Sequence, residues 1–361
     1  MPGWPARAAA RGEVVLVESA WPEITEDAAR PWAGRTVVVT GGLGFIGSTL
    51  AIALARAGAF PRILDNLDPL YGGNWRNVAP VADRVTVLVA DIRDRRALRA
   101  ALAGADAVFH LAAQTSHIDS MRDPFLDADV NVRGMLLLLE AIRREAPEAV
   151  LVNVGTRAQY GAAGNGPIRE DTPARPTDVY GASKHCAEQY ALVYHRCHGL
   201  DVRCVRATNV YGPRHQMKHG RYGILNWFVR LALDGAELPV YGDGSQRRDY
   251  LYVDDLVDAL LRVAGGPAGE LAGRVFNAGT GSGTAFAEMA RQVVAACGSG
   301  RLRHVPWPEE RRRIETGDAV LDATRLRDAT GWNPRIALAE GIERTVRFYR
   351  RERKHYWPPA A

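Results

Sequence analysis

The chain has 361 residues, 47% of them apolar, which is enough to bury a large core in one or two globular domains. Its 46 basic and 41 acidic residues leave a net charge of only +5 spread along the chain, which argues against a nucleic-acid-binding surface. The four cysteines have no metal-site or disulfide spacing, and we see no membrane-length apolar run and no signal-peptide core, so we expect a cytoplasmic protein without membrane partners.

Residues 1–35 mix Pro, Ala, Arg and Trp and are assigned to an N-terminal extension, in which EVVLVES at 13–19 predicts one short strand. From residue 36 the pattern changes, because the β-branched run TVVVT is followed by a glycine cluster and an apolar helical sequence that ends at Gly58. Further buried strands, separated by helical sequences, are predicted at RILDN (62–66), VTVLVA (85–90), AVFHLA (107–112), AVLVNVG (149–155) and DVRCVRATNV (201–210).

Alternating helices and fully apolar strands predict an α/β fold with a doubly wound parallel sheet, covered by helices on both faces. We assign residues 36–208 to this domain. After residue 208 the alternation weakens and the loops lengthen, as in YGPRHQMKHGRYG at 211–223. Residues 209–361 are therefore assigned mainly to a smaller C-terminal substrate-binding lobe, with some segments returning to the first domain.

The sequence VVVTGGLGFIG at 37–47 places Gly42, Gly44 and Gly47 in a G-x-G-x-x-G arrangement between a strand and a helix. This is the Rossmann-type dinucleotide-binding pattern, in which glycines allow a tight turn and the start of the helix offers free N–H groups to a diphosphate. Asp65 ends the next strand, where a carboxylate accepts from ribose hydroxyls and repels a 2′-phosphate, so the pattern favours NAD over NADP. Asp91 is either an adenine contact or an exposed turn residue.

Tyr180 and Lys184 in VYGASKHC are four residues apart, which places them on one face of a helix. A tyrosine has a reference pKa near 10, so it can act as a base only where a neighbouring cation stabilises the phenolate. The side chain of Lys184 would be that cation. Such pairs also occur by chance on exposed helices, but this one follows a dinucleotide-binding loop.

Taken with these features, eight motifs resemble the extended short-chain dehydrogenase/reductases that act on nucleotide sugars, with the UDP-glucose (UDP-galactose) 4-epimerases as the closest type. The resemblance extends over residues 36–350. The motifs are TGGLGFIG, FHLAAQ, VNVRG, YGASK, RATNVYGPR, GDGSQRRDYLYVDD, FNAGTG and GWNP.

The resemblance implies an NAD-dependent enzyme that acts on a nucleotide sugar and forms a homodimer. It implies Thr156, Tyr180 and Lys184 as the catalytic residues. No metal is expected, because His215 and His219, although four residues apart, lie in a loop sequence with proline and glycines and have no third ligand. The expected cofactor contacts are Gly41, Gly44, Phe45, Ile46, Gly47, Asp65, Asn66, Asp91, Ile92, Leu111, Ala112, Ala113, Tyr180 and Lys184.

The loop GTRAQYG at 155–161 bears on the reaction. Relatives that remove water across C5 and C6 of the sugar have Asp and Glu after the threonine, decarboxylating relatives have a glutamate at the second place, and relatives that epimerise by proton abstraction have a cysteine in this loop. This chain has Arg157 and Ala158. We therefore predict 4-epimerisation by reversible hydride transfer. The alternatives are another sugar-nucleotide oxidoreductase or decarboxylase, for example one acting on a UDP-uronate, and a non-catalytic NAD sensor.

For the substrate, the resemblance places Arg248 and Asn209 at the pyrophosphate and Gln114 in the sugar pocket. One of Arg311, Arg312 and Arg313 would be a second cation at the pyrophosphate, and spacing selects Arg312. Arg157 either binds an anionic sugar such as a glucuronate or forms a structural ion pair. Uronate-epimerising relatives have an arginine where this chain has Gln216, which argues against the glucuronate.

Overall fold

A computed structural model describes residues 21–68, 70–164 and 166–357. The predicted strand at 13–19 lies outside the described residues. The strands are β1 (Thr36–Thr40), β2 (Phe60–Asp65), β3 (Thr86–Val89), β4 (Ala107–His110), β5 (Val150–Thr156), β6 (Pro167–Ile168), β7 (Val202–Ala207), β8 (Asn209–Tyr211), β9 (Glu237–Tyr241), β10 (Arg247–Tyr252), β11 (Val275–Ala278), β12 (Gly283–Ala285), β13 (Arg301–Val305) and β14 (Val320–Leu321).

The helices are α1 (Glu26–Ala29), α2 (Phe45–Arg56), α3 (Arg95–Leu102), α4 (His117–Arg122), α5 (Pro124–Ala128), α6 (Gly134–Glu145), α7 (Val179–His198), α8 (Ile224–Leu233), α9 (Val253–Gly265), α10 (Ala268–Leu271), α11 (Phe286–Cys297), α12 (Glu309–Arg312), α13 (Thr324–Thr330) and α14 (Leu338–Glu352). A π-helical turn, Asp129–Arg133, joins α5 to α6, and a 3₁₀ turn, Arg157–Gln159, follows β5. Within the described residues, no helix is both long and apolar enough to cross a membrane.

The central sheet has the order β3-β2-β1-β4-β5-β7-β11 in the described part of the chain, and every neighbouring pair is parallel. The chain proceeds outward from β1 to β3 and then returns to the other side of β1 to form β4. The loops at the carboxyl ends of β1 and β4 therefore diverge and leave a crevice, which is where ligands bind in open α/β sheets. The predicted fold class is confirmed.

Alternate residues of β1 show how the sheet is covered. Val37 and Val39 pack with residues of α2 and α9 in one apolar cluster, whereas Val38 packs with residues of α3, α6 and α7 in another. All three valines are at most 1% exposed. Side chains of a strand point to opposite faces in turn, so a strand buried on both faces must be apolar at every position, as TVVVT is.

The described end of the N-terminal extension packs on the first domain. Thr25 binds Asp258 of α9 through both its backbone N–H (2.8 Å) and its hydroxyl (2.6 Å), and the N–H of Glu23 donates to Asp254 at 3.0 Å. Trp32 is 1% exposed and lies with its ring centroid 5.7 Å from that of Phe109 in β4. Residues 23–32 therefore contribute to the core of the domain that they precede.

The second lobe is built on the small sheet β12-β10-β8 and the parallel pair β13-β9. Its core is a separate apolar cluster in which α8, α11 and α14 meet, with Phe228, Met289 and Tyr349 all buried. Two later segments return to the first domain, since β11 extends the central sheet beside β7 and α9 covers its face. This lobe lies over the carboxyl ends of the central strands and forms the far wall of the crevice.

Candidate active site

A cavity of about 490 Å³ occupies the crevice between the central sheet and the second lobe. Every predicted site residue lines this cavity except Arg312. The loops after β1, β4 and β5 form one wall, α7 contributes Tyr180 and Lys184, and the opposite wall comes from β8, β10 and the segment that follows α12.

The glycine loop is shaped by backbone contacts that no other residue would permit. Gly41 has φ +69°, and a Cβ on it would lie 2.8 Å from the backbone nitrogen of Ala112 at the end of β4. A Cβ on Gly47 would lie 2.2 Å from the carbonyl oxygen of Gly41. Gly44 is the N-cap of α2 and has no side chain to satisfy the N–H groups of the first turn. These N–H groups and the helix dipole fit the diphosphate of NAD.

The carboxylate of Asp65 is held at the end of β2 by two backbone donors, the N–H of Leu43 at 2.9 Å and that of Leu67 at 2.8 Å. Burial raises the pKa of Asp65, and the two donors act in the opposite direction. Because each carboxylate oxygen has two lone pairs, acceptor capacity remains for the ribose hydroxyls expected there.

Asp91 at the edge of the cavity is bound by Arg93 at 2.7 Å and by the side-chain amide of Asn66 at 3.2 Å. The hydrogen bond from Arg93 is the main reason why the pKa of Asp91 falls to about 2. Asp91 is therefore a fixed anion in the wall and not a free turn residue. Arg93 lines the cavity as well, and the sequence analysis did not identify it.

The three catalytic candidates meet in the cavity. Tyr180 is 8% exposed and lines the cavity together with Thr156 at the end of β5. Burial raises the pKa of Tyr180 well above its ordinary value, since a phenolate is poorly solvated there. Burial also lowers the pKa of Lys184 to about 8, and the neighbouring Asp127 and Glu188 act in the opposite direction. The tyrosine can therefore ionise only with the help of added positive charge.

A histidine that the sequence analysis missed lies beside Tyr180. The Nδ1 of His117 is 2.5 Å from Oδ2 of Asp178, and its ring meets that of Tyr180 edge to face with centroids 5.1 Å apart. Asp178 also caps α7, because its other oxygen accepts from Gly181 N–H at 2.7 Å. His117 and Asp178 are 61 residues apart. The sequence did offer one indication of His117, namely that it follows soon after a predicted strand whose carboxyl end lies at the crevice.

Beneath the loop, a buried chain of hydrogen bonds joins β5 to α7. The backbone N–H of Thr156 donates to the side-chain oxygen of Gln159 at 2.9 Å, and the amide of Gln159 donates to Glu188 at 3.0 Å. Glu188 is also ion-paired with Arg206 at 2.6 Å. Since Glu188 lies one turn after Lys184 on α7, these hydrogen bonds fix Thr156 relative to α7.

Arg157 extends across the cavity wall toward β8. Its Nε donates to Oδ1 of Asn209 at 2.8 Å and one terminal nitrogen donates to the hydroxyl of Thr316 at 3.3 Å. Burial, and then the charge of Arg248, lower its pKa to about 10. Arg248 itself is ion-paired with Glu315. Among the described residues both hydrogen-bond partners of Arg157 are neutral, so the structural ion pair considered for it is not found.

Two predicted substrate contacts have unexpected surroundings. The amide nitrogen of Gln114 donates to the carbonyl of Ser116 and to Asp127, and its oxygen accepts from Ser116 N–H, so this side chain holds the loop after β4. Arg312 is exposed on α12 and lies outside the cavity, whereas Arg311 lines it and lies 5.7 Å over the ring of Tyr241. Successive residues of a helix point about 100° apart, so spacing alone selected the wrong side.

Comparison with known proteins identifies chains that are similar to this one. The sequence profile described as the NAD dependent epimerase/dehydratase family matches residues 37–279. The chain is 40% identical to the UDP-glucose 4-epimerase of Mycolicibacterium smegmatis over 87% of this chain and 98% of that protein. It is also 36% identical to the dTDP-glucose 4,6-dehydratase of Streptomyces niveus, over 90% of this chain and 95% of that protein.

Solved structures of both kinds resemble the fold. A dTDP-glucose 4,6-dehydratase from Streptomyces venezuelae with NAD bound has a TM-score of 0.81 at 32% identity and covers 90% of this chain and 99% of its own. The Thermus thermophilus UDP-glucose 4-epimerase, in complex with NAD, has a TM-score of 0.78 at 34% identity and covers 87% and 99%.

Proposed function

Because the chain belongs to the NAD-dependent epimerase/dehydratase family, whose members act on nucleotide sugars with NAD as cofactor, we propose that it is a 4-epimerase. The proposed reaction inverts C4 of a UDP-linked hexose through a transient 4-keto sugar. It takes place in the cytoplasm and involves no net oxidation.

The observation that carries this proposal is the wall formed by the loop after β5. Thr156 is followed by Arg157 and Ala158, so this loop brings no carboxylate to the sugar. Two carboxylates elsewhere in the wall already have side-chain partners, since Asp178 is bound to His117 and Glu315 to Arg248. An elimination needs an acid and a base beside C5 and C6, whereas inversion at C4 needs only one proton acceptor.

Tyr180 is that acceptor. As a phenolate it takes the proton of the C4 hydroxyl, while Thr156 orients the reacting oxygen and Lys184 stabilises the negative charge of the phenolate. NAD, when bound, supplies the hydride acceptor and then the hydride donor. The keto sugar turns about its diphosphate linkage, and Tyr180 returns the proton once the opposite face has been reduced.

Product analysis tests the proposal. Purified protein is incubated with UDP-glucose, UDP-galactose and dTDP-glucose without added reductant, and the products are identified by NMR. We expect interconversion of the C4 epimers and no loss of oxygen from C6. A 4-keto-6-deoxy sugar would identify a dehydratase, and a pentose formed from a UDP-uronate would identify a decarboxylase.

Tyr180→Phe is the matched variant, because it removes one oxygen and keeps the ring that packs against His117. We expect it to lose about 10²- to 10⁴-fold in kcat and to keep its NAD. Full activity in this variant would show that the phenol is not the base. Bound NAD without turnover of any sugar nucleotide by the unaltered protein would instead indicate a sensor.

A further inference from the structure

Arg157 carries a charge that the described residues do not neutralise by direct contact. Its guanidinium is hydrogen-bonded to Asn209 and Thr316, which are both uncharged. Its pKa of about 10 keeps it protonated at neutral pH. Arg157 is half-buried, and a partly desolvated cation whose hydrogen-bond partners are neutral is stabilised when an anion binds to it. Arg157 lines the cavity, so that anion would come from a ligand.

The charges around Asn209 indicate which part of a nucleotide sugar would bind to Arg157. Arg248 lies near Arg157, but Glu315 is ion-paired with Arg248 and offsets its charge. The side chains of Arg157, Arg248 and Glu315 together therefore carry a net charge of one positive unit, which corresponds to Arg157. A sugar nucleotide carries negative charge on both phosphoryl groups, and a planar guanidinium suits their oxygens.

A hydroxyl without a partner lies in the same wall. Tyr250 of β10 is 5% exposed and lines the cavity, and the charges of Arg248 and Arg157 both act on it. Among the described residues, its hydroxyl has no hydrogen-bond partner. A buried hydroxyl without a partner is destabilising, so a ligand oxygen that accepts a hydrogen bond from it would bind more tightly.

We propose that Arg157 and Tyr250 form the main anion-binding pair for the diphosphate of the substrate. This rests on the proposed action on nucleotide sugars. The pair adds a cation from the loop after β5, directly after Thr156, to the arginines of β10 and α12 that line the same cavity, Arg248 and Arg311. Diphosphate binding therefore also fixes the position of the catalytic hydroxyl. With its guanidinium on the diphosphate, Arg157 is not available to a sugar carboxylate, which favours a neutral hexose as the substrate.

Binding to the NAD-loaded protein tests the proposal independently of turnover. Calorimetry with UDP, dTDP and uridine compares the unaltered protein with Arg157→Met, Tyr250→Phe and the control Arg312→Met, which removes an exposed arginine outside the cavity. We expect Arg157→Met to weaken binding of the nucleoside diphosphate about 10- to 100-fold and Tyr250→Phe to weaken it roughly 5-fold, while uridine binding and the control are unchanged.

Correct folding of each variant is checked by its NAD content and its melting temperature. Arg157→Gln is the second variant if Arg157→Met does not fold. Unchanged UDP and dTDP affinity in a folded Arg157 variant would overturn the proposal, as would failure of the unaltered protein to bind either diphosphate. A loss confined to UDP-glucuronate, with UDP and UDP-glucose unaffected, would also overturn it and assign Arg157 to a carboxylated sugar. A protein that binds UDP through Arg157 but does not invert C4 would contradict only the proposed reaction.

Discussion

At the scale of single residues, the site is governed by how a buried phenol obtains enough positive charge to ionise. Burial alone raises the pKa of Tyr180 and lowers that of Lys184, and both shifts oppose the pair of charges that catalysis needs. The oxidised nicotinamide would supply one compensating positive charge. The shift of Lys184 is opposed by Asp127, a buried carboxylate whose negative charge favours the ammonium form of Lys184.

Asp127→Asn is expected to move the alkaline limb of the pH–rate profile to lower pH. In the proposed mechanism Lys184 acts as an ammonium group, so activity should be lost as pH rises through its pKa, and removal of the neighbouring carboxylate should lower that pKa further. At pH 9 the variant should lose roughly 3- to 10-fold more activity than the unaltered enzyme, relative to each at pH 7. Asp83→Asn, on the exposed surface, is the control. An alkaline limb in the same place would show that Asp127 has no electrostatic influence on Lys184.

At the scale of elements, the proposed catalytic residues lie on two elements, Thr156 on β5 and both Tyr180 and Lys184 on α7. Gln159 and Glu188 fix the position of β5 relative to α7. A Cβ on Gly155 would lie 2.2 Å from the amide oxygen of Gln159, so the glycine before Thr156 makes room for this link. Glu188 accepts from Gln159 and Arg206, so the buried charge is paired and hydrogen-bonded. Such a network holds one geometry as long as every member is present.

Gln159→Leu would leave the N–H of Thr156 and one oxygen of Glu188 with one partner fewer. We expect kcat to fall roughly 10- to 100-fold with little change in KM, because the hydroxyl of Thr156 shifts while the substrate contacts remain. The free energy of unfolding should fall by about 1–3 kcal/mol. The control is Gln292→Leu, whose side-chain amide, in the described part of the chain, donates to Glu288 one turn earlier on the same helix. Loss of stability with unchanged kcat would mean that the network is purely structural.

At the scale of the whole molecule, α9 joins the parts of the chain. It covers the central sheet, and its first turn binds the N-terminal segment through Asp254. Asp254 is buried, and burial raises its pKa to about 6. The N–H of Glu23 and the charge of Arg214 lower this pKa, whereas the charges of Glu23 and Asp255 raise it. Its folded pKa is above the ordinary value of 3.8. The folded state therefore binds the proton more tightly, and stability is lost as pH rises through about 6.

Asp254→Asn should consequently be more stable than the unaltered protein at pH 7.5, by at most about 3 kcal/mol, and the difference should shrink toward pH 5. The amide oxygen can still accept from the N–H of Glu23. Urea unfolding at the two pH values measures the difference, with Asp27→Asn on the exposed side of α1 as the control. A pH-independent difference would show that ionisation of Asp254 does not contribute.

The parts of the molecule that sequence could predict are those set by local pattern. The apolar run TVVVT and the glycine spacing around Gly44 are local patterns, and they predicted the parallel sheet and the dinucleotide-binding loop. Contacts between distant segments could not be inferred, since Arg157 meets Asn209 and Thr316 across 52 and 159 residues. The same applies to Trp32, whose burial depends on α9 and β4 and not on any periodicity around it.

One measurement tests the central claim, that this site removes a hydride from C4 and returns it to C4. UDP-glucose carrying deuterium at C4 is incubated with the enzyme in ordinary water, and the products are examined by NMR. We predict UDP-galactose that retains the deuterium at C4, because the same hydrogen returns to the opposite face. Deuterium found at C6 of a deoxygenated sugar, or exchanged for solvent hydrogen, would contradict the account.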